Sequence, residues 1–328
     1  MTQSDKKSFK KKLAVHCSLF LVGCALFATM AWMGDGFDLS KLSNVRLWPF
    51  FWSVVITGGA TLLVAIRWGS LANSIGGKPL PFIRYYTVFA TTSFLSFILP
   101  KDIVDIGGRA LWMKKKAGHT YTTAGTTLFW DRLLDGIVLI ALLPTCLMYF
   151  FGGQKTLLCT ALAAVSITIS GFLLWYLNQW TFRAIQTALN ALIKLFGSLP
   201  FLGKRIPETL DLPSIERQLC IKLFALSAFK PLILAVQYTL FAYAIGLDFS
   251  LNMMVFGTPL SQLAFLFAFT AGGLGVFEAG WFSILVLGGI PSEDIGVFLI
   301  AQRIYSIAAL AIVAGTAQIY SMISTDTD

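Results

Sequence analysis

Charge is scarce in this chain. Its 328 residues carry 25 Lys and Arg and 16 Asp and Glu, 12% in all, where a soluble domain carries about a quarter. Hydrophobic residues make up 56% and the mean hydropathy is +0.75. That balance excludes an ordinary soluble enzyme, a disordered chain and a nucleic-acid-binding domain, and describes an all-α polytopic membrane protein. The net charge of +9 then marks cytoplasmic loops, not a nucleic-acid partner. Histidine is scarcer still. His16 and His119 are the whole supply, too few for a usual zinc centre. Cys17, Cys24, Cys146, Cys159 and Cys220 form no CxxC and have no histidine at ligand spacing. The first four lie in apolar runs, where a free cysteine acts as a small hydrophobe. No disulfide, metal or cofactor is expected. GxxxxGK[ST] is also missing, so Gly272-Gly273-Leu274-Gly275 reads as a tight hairpin tip and not a nucleotide loop.

What is present is a series of long apolar runs. Clear spans fall near 13–33, 48–68, 120–150, 156–178, 222–246 and 294–322. Each can cross about 30 Å of hydrocarbon at about 1.5 Å per residue. The first follows a basic stretch (Lys6, Lys7, Lys10, Lys11, Lys12) and is longer than a signal-peptide core, so it reads as a transmembrane helix with the N-terminus inside. Stretches 80–113 and 251–288 are apolar but broken near their middles. The first contains Pro100-Lys101-Asp102 and then Gly107-Gly108, and the second runs from Thr270 to Gly275. A full crossing at 80–100 would place Lys114, Lys115 and Lys116 outside, against the positive-inside rule. A stretch that dips in and returns keeps them cytoplasmic. The same count puts 179–221, with Arg183, Lys194, Lys204, Arg205 and Arg217, inside the cell, with the C-terminus inside too. Stretch 251–288 then enters from the outer face. Non-helical backbone at membrane depth is tolerated where it is buried or lines a wet cavity. The fold expected is about six full transmembrane helices plus two re-entrant helical hairpins around such a cavity.

A single constant offset aligns Phe94 with Phe265, Gly118 with Gly289, Gly125 with Gly296 and Arg132 with Arg303. The two kinked tips, Pro100 and Ala271-Gly272, also coincide. One membrane domain, 1–328, is therefore read as two halves, 13–150 and 156–322. The odd number of spans between the hairpins makes the repeat inverted, a recurring transporter design. Within 179–221, Ile185, Leu189, Leu192, Ile193 and Phe196 form an apolar stripe, with Arg183, Gln186, Asn190 and Lys194 elsewhere. This amphipathic segment either lies on the inner membrane surface or caps the bundle.

The remaining charges fall at bilayer depth, where an ionisable group costs several kcal/mol unless paired or wet. They are Lys101, Asp102, Asp105 and Arg109 in the first hairpin, Asp131, Arg132 and Asp135 in the next span, and Glu278 and Arg303 in the second half. Arg84 stands near the first hairpin's entrance and Arg67 at the inner end of the second span. Asp131 and Asp135 share a helix face, and Glu278 is matched to Arg303 or Arg132. Two readings stay open. These residues are structural ion pairs that clip the hairpins to the bundle. Alternatively Arg109, Arg132 and Arg303 line a cavity for a phosphate-bearing head group, which suits the bidentate guanidinium fork. Asp102, Asp105, Asp131, Asp135, Glu278 and Lys101 would complete that substrate-binding set, with Pro100, Gly272, Gly273 and Gly275 at the hairpin tips. A carboxylate able to neutralise when buried can carry a proton, and Glu278 is the candidate.

Two signatures carry a family resemblance. One is Leu99-Pro100, then Gly107-Gly108-Arg109-Ala110, then Trp130-Asp131-Arg132-Leu133-Leu134-Asp135. The other is Gly272-Gly273-Leu274-Gly275-Val276-Phe277-Glu278-Ala279, then Gln302-Arg303. Together they resemble the lysylphosphatidylglycerol synthase transmembrane region, a flippase-like family, over nearly the whole chain. The Gly-Glu often seen before the first arginine is replaced by Gly107-Gly108, which leaves that acidic role to Asp102 or Asp105. With the chain ending at Asp328, the resemblance implies the translocation half without the synthase half. It implies a non-enzymatic flippase of polar-headed, phosphate-bearing lipids, aminoacylated or glycosylated forms included, in the cytoplasmic (inner) membrane. The alternatives are a membrane-embedded lipid-modifying transferase and a non-transporting partner of a separately encoded lipid synthase.

Overall fold

A computed structural model describes residues 45–76, 78–97, 99, 104, 107–153, 155–176, 215–266 and 273–325, with scattered positions at 24–29 and 180–191. Among the described residues the chain forms nine helices and no strand. They are α1 (Leu47–Ser74), α2 (Phe82–Leu95), α3 (Arg109–Ala117), α4 (Tyr121–Phe151), α5 (Thr156–Tyr176), α6 (Arg217–Ala244), α7 (Leu251–Leu266), α8 (Val276–Leu287) and α9 (Ser292–Thr325). Five of them, α1, α4, α5, α6 and α9, are long and apolar enough to cross a membrane. The protein is an all-α, multi-pass membrane protein. Most of the span expected at 13–33 and of the amphipathic segment at 181–198 lies outside the described residues. So does most of 179–221, whose last residues instead open α6: Arg217 is its first residue. A basic residue at a helix end can extend its charged tip toward head groups while its stem stays apolar.

Local chemistry sets the breaks. The Thr120 hydroxyl accepts a hydrogen bond from the Thr123 amide at 3.1 Å and so caps α4. Just before it, α3 ends in Lys114, Lys115 and Lys116 against the negative end of its dipole. It stops at Gly118, whose φ of 71° suits glycine.

Both broken stretches are antiparallel helix pairs. In the first, Tyr85 meets Trp112 with ring centroids 5.6 Å apart, and the Arg109 guanidinium lies 5.1 Å from the Phe89 ring centroid. In the second, Met253 faces Gly288, Gly257 faces Trp281 and Ile284, and Ser261 faces Gly280. A Cβ on Gly257 would lie 2.7 Å from Ile284 Cγ2, so the approach of α7 to α8 depends on that glycine.

The order long helix, helix pair, long helix occurs twice, in α1–α4 and in α6–α9. Helices α1 and α6 have 28 residues each, starting at Leu47 and Arg217. Helices α4 and α9 start at Tyr121 and Ser292. The step along the chain from α1 to α6 matches the step from α4 to α9 to within one position, so the halves can be laid on one another helix by helix. α1 and α6 run antiparallel: the Arg46 amide donates to the Ala244 carbonyl at 2.8 Å, and the Gln237 amide group donates to the Thr57 hydroxyl at 2.9 Å. The α2 face packs on α9, where Gln318 donates to the Thr91 hydroxyl at 2.8 Å. In the matching place α7 packs on α4, with Tyr149 stacked on Phe256 at 4.5 Å. Along α1 the hydroxyls of Ser53, Thr57 and Thr61 donate back to the carbonyls of Phe50, Ser53 and Thr57. α6 carries Pro231 in its interior. α5 packs on α4 and α6, and exposes Leu157, Leu162, Val165, Ile169 and Phe172, the apolar surface a lipid-facing helix presents.

Candidate functional site

Buried charge concentrates where α1, α3, α4 and α6 meet. Arg67 is 1% exposed and spends all five donors there. Its Nε donates to Asp131 Oδ1 at 2.7 Å, and one Nη2 proton goes to the Asp131 carbonyl at 3.3 Å. Nη1 donates to Asp135 Oδ1 and, at 2.5 Å, to the Ser227 hydroxyl, while Nη2 reaches Asp135 Oδ2 at 3.2 Å. Asp131 and Asp135 therefore do share a face, and one guanidinium takes both. Lys230 Nζ donates to Asp135 Oδ2 at 2.5 Å from the other side. Arg109 stands 3.8 Å from Asp131 Oδ2 and lies between the Trp68 and Phe89 rings, 4.9 and 5.1 Å from their centroids. Such pairing is what a charge needs at this depth.

The second half has a smaller unit. Gly273 and Gly275 take φ of 69° and 86°, left-handed values that suit glycine. The turn they make presents the Gly275 amide to Glu278 Oε2 at 2.7 Å. Glu278 is fully buried, and its Oε1 lies 3.0 Å from Arg303 Nη2. The Arg303 guanidinium also lies 5.3 Å from the centroid of Phe97, just after α2. One arginine of α9 therefore touches both helix pairs.

Between these two units lies a cavity of about 230 Å³. Arg132, Asp135, Lys230 and Arg303 reach its wall with Gln237, Gln262 and Gln302, and Leu139, Leu234 and Leu310 supply apolar wall. Polar and apolar surfaces thus share one chamber inside a bundle of membrane-spanning helices.

Of the residues singled out from the sequence, Arg132, Arg303 and Asp135 line this cavity. Asp131 and Glu278 stand behind it, each holding a cation. Arg109 is not on the cavity wall where the sequence reading put it. Its guanidinium is enclosed by two aromatic rings, which accept a cation on their faces. Gly273 and Gly275 take positive φ immediately before α8. Lys101, Asp102, Asp105, Pro100 and Gly272 lie outside the described residues. Lys230 was missed altogether. Its signal was present: a lysine well inside the apolar run 222–246, followed by Pro231. Arg67, taken for a span end, is the centre of the buried network. Among the described residues no group of three or more His, Cys, Asp or Glu side chains converges as metal ligands.

Fold and site together define a polytopic helical membrane protein with a charged chamber inside the bundle. The model of the lysylphosphatidylglycerol synthase TM region matches residues 19–314, and the chain belongs to that family. No curated protein and no solved structure matches it.

Proposed function

We propose that this protein is a lipid flippase of the cytoplasmic membrane, with both termini inside, that moves a phosphate-bearing lipid by taking its head group into the chamber while the acyl chains stay in the bilayer. The observation that carries this reading is the pair Arg132 and Arg303. They fall on one another when the halves are aligned, on the corresponding helices α4 and α9, and both reach the same cavity wall. Two forked guanidinium groups on opposite helices suit an anionic phosphate. Charge balance supports it. In the chamber and its supporting network the described cations are Arg67, Arg109, Arg132, Lys230 and Arg303, against Asp131, Asp135 and Glu278. Membership of a family tied to lipid synthesis supports a lipid as the cargo.

The halves α1–α4 and α6–α9 act in this reading as an inverted repeat. Two hydrogen bonds support that. Laying α6 on α1 from their first residues puts Gln237 on Arg67 and Ser227 on Thr57. Arg67 donates to the Ser227 hydroxyl, and Gln237 donates to the Thr57 hydroxyl. Each half thus reaches across the α1–α6 contact in the same way. Repeats of this kind expose a central site alternately to the two faces.

Reconstitution into liposomes tests the proposal. The purified protein is expected to speed equilibration of an acyl-labelled phospholipid between leaflets. Arg132→Ala and Arg303→Ala should each slow it on the order of tenfold, or about 1.4 kcal/mol, while the protein still folds. No acceleration by the native chain would sink the reading. A covalently altered lipid by mass spectrometry would point to a transferase. Capture of a lipid synthase without lipid movement would point to a partner role.

A further inference from the structure

We propose that the outward face of α3, with Lys114, Lys115, Lys116 and the neighbouring Lys78, binds the anionic head groups of the phospholipid leaflet it meets. The inference is independent of the flippase reading and concerns a surface outside the chamber.

Exposed cations gather at one end of the bundle. Leu71, Leu174, Ile215 and Cys220 pack together there, with Trp68, Leu80, Ala117 and Ala124 in a second cluster. The ends of α1, α3 and α5 and the starts of α2, α4 and α6 therefore lie at one end. Lys78, Lys114, Lys115, Lys116, Arg217 and Lys222 are exposed here. At the opposite end Arg46 and Lys155 are accompanied by Asp248, Glu293 and Asp294. The chain between α5 and α6 leaves and returns at the basic end. Its sequence adds Arg183, Lys194, Lys204 and Arg205 against Glu208, Asp211 and Glu216, and Asp326 and Asp328 follow α9. Cations still outnumber acids at this end.

Helix α3 is built to present this charge. Arg109, Ala110, Met113 and Ala117 are buried, which leaves Leu111, Lys114 and Lys115 on the opposite face and Lys116 at its edge. The helix is fixed at both ends. Arg109 lies between the Trp68 and Phe89 rings, and the Ala117 carbonyl accepts from the Lys78 amide at 2.9 Å. That bond also sets Lys78 beside the triplet. Four ammonium groups thus project from an anchored helix end.

The surroundings favour a lipid surface over a soluble acidic partner. Leu111, one turn before Lys114 and Lys115, is 42% exposed. Within that turn, about 5.4 Å, the outward face changes from apolar to cationic, as a bilayer does between hydrocarbon and head groups. Lys114 Nζ stands 4.1 Å from the centroid of the Tyr121 ring, which is 54% exposed. Phe82 and Tyr176 are exposed at the same end. Tyrosine is enriched at head-group level, and lysine carries its charge past an apolar rim. Each such cation adds to the attraction of an anionic leaflet, which salt screens.

The test acylates lysines of the full chain in nanodiscs of phosphatidylcholine, with or without phosphatidylglycerol. The reagent is an uncharged amine-reactive ester, and peptide mass spectrometry reads each site. Phosphatidylglycerol should slow modification of Lys114, Lys115 and Lys116 about fivefold, and high salt should restore it. Lys155, exposed at the opposite end, should change little. Equal slowing at Lys155, or none at the triplet, overturns the inference. Polyglutamate added to phosphatidylcholine discs should leave the triplet unprotected. Protection equal to that by phosphatidylglycerol would overturn the lipid assignment in favour of a soluble acidic partner. A second measurement counts phosphatidylglycerol molecules retained by the solubilised protein in native mass spectrometry. Lys114→Gln, Lys115→Gln and Lys116→Gln combined should lower that count in folded protein, while Lys114→Arg, Lys115→Arg and Lys116→Arg combined should keep it. An unchanged count in the glutamine variant overturns the inference. Neither measurement depends on lipid movement, so the flippase reading stands or falls separately.

Discussion

Replacing Arg67 by methionine is the sharpest test of the buried network. The substitution keeps much of the stem and removes five hydrogen bonds. Asp135 retains Lys230 at 2.5 Å, but Asp131 is left with Arg109 at 3.8 Å, beyond hydrogen-bond reach. Removing one partner of a buried ion pair typically costs about 3–5 kcal/mol, because a buried charge is left uncompensated. The matching position in the other half provides the comparison. Gln237→Leu removes one neutral hydrogen bond, and Thr57 still donates to the Ser53 carbonyl at 2.8 Å, so the loss should be about 1 kcal/mol. A chain of this size shifts its Tm by roughly 2 °C per kcal/mol. Arg67→Met should therefore melt ~6–10 °C lower and Gln237→Leu ~2 °C lower. Cys146, Cys159 and Cys220 are free and buried, so a thiol-reactive dye reads unfolding in detergent without added labels. Equal shifts for the two single variants would refute the assignment of the network as the anchor of α1 to α4 and α6.

Three further outcomes are expected. Gly275→Ala puts a Cβ on a residue at φ 86°, costing about 1–2 kcal/mol and displacing the Glu278 cap; melting temperature and lipid movement should fall together, and unchanged values of both would contradict the tip geometry. Gly257→Val should be strongly destabilising through its clash with Ile284, and Ile284→Ala in the same chain should restore part of the lost stability. Burial holds the His119 imidazole below its ordinary 6.5. The unfolded chain then binds that proton first, so stability is lost as pH falls through 6.5; His119→Phe should flatten the melting profile between pH 7 and pH 5, and an unaltered profile would reject the assignment.

Spans and breaks were legible because hydrocarbon imposes them. Runs such as 120–150 and 294–322 have no alternative to helix in lipid, and the helices found start and end within a few residues of them. Gly273 and Gly275 announced a turn because glycine takes positive φ freely. Asp131, Arg132, Asp135, Glu278 and Arg303 stood out as charges in apolar surroundings. The partnerships were harder to see. Arg67 finds Asp131 and Asp135 across 64 and 68 residues, and such a match depends on how α1 rotates against α4. Lys230 hid behind Arg217 and Lys222, which made its helix look basic only at its N-terminal end. Arg109 went astray because composition shows its charge but not the two rings that enclose it.

The antiparallel register of α1 and α6 has a mechanical consequence. Gln237 meets Thr57 and Ser227 meets Arg67, so the stretch between these two bonds is centred near residues 62 and 232. Close to that level α6 carries Pro231, which supplies no amide to its ladder. On α1, the Thr57 and Thr61 hydroxyls compete for the carbonyls of their own ladder, a bond that favours bending. The two rods are thus most compliant between the two side-chain bonds that pin them to one another, so any bend is shared at one level of the pair and not scattered along it.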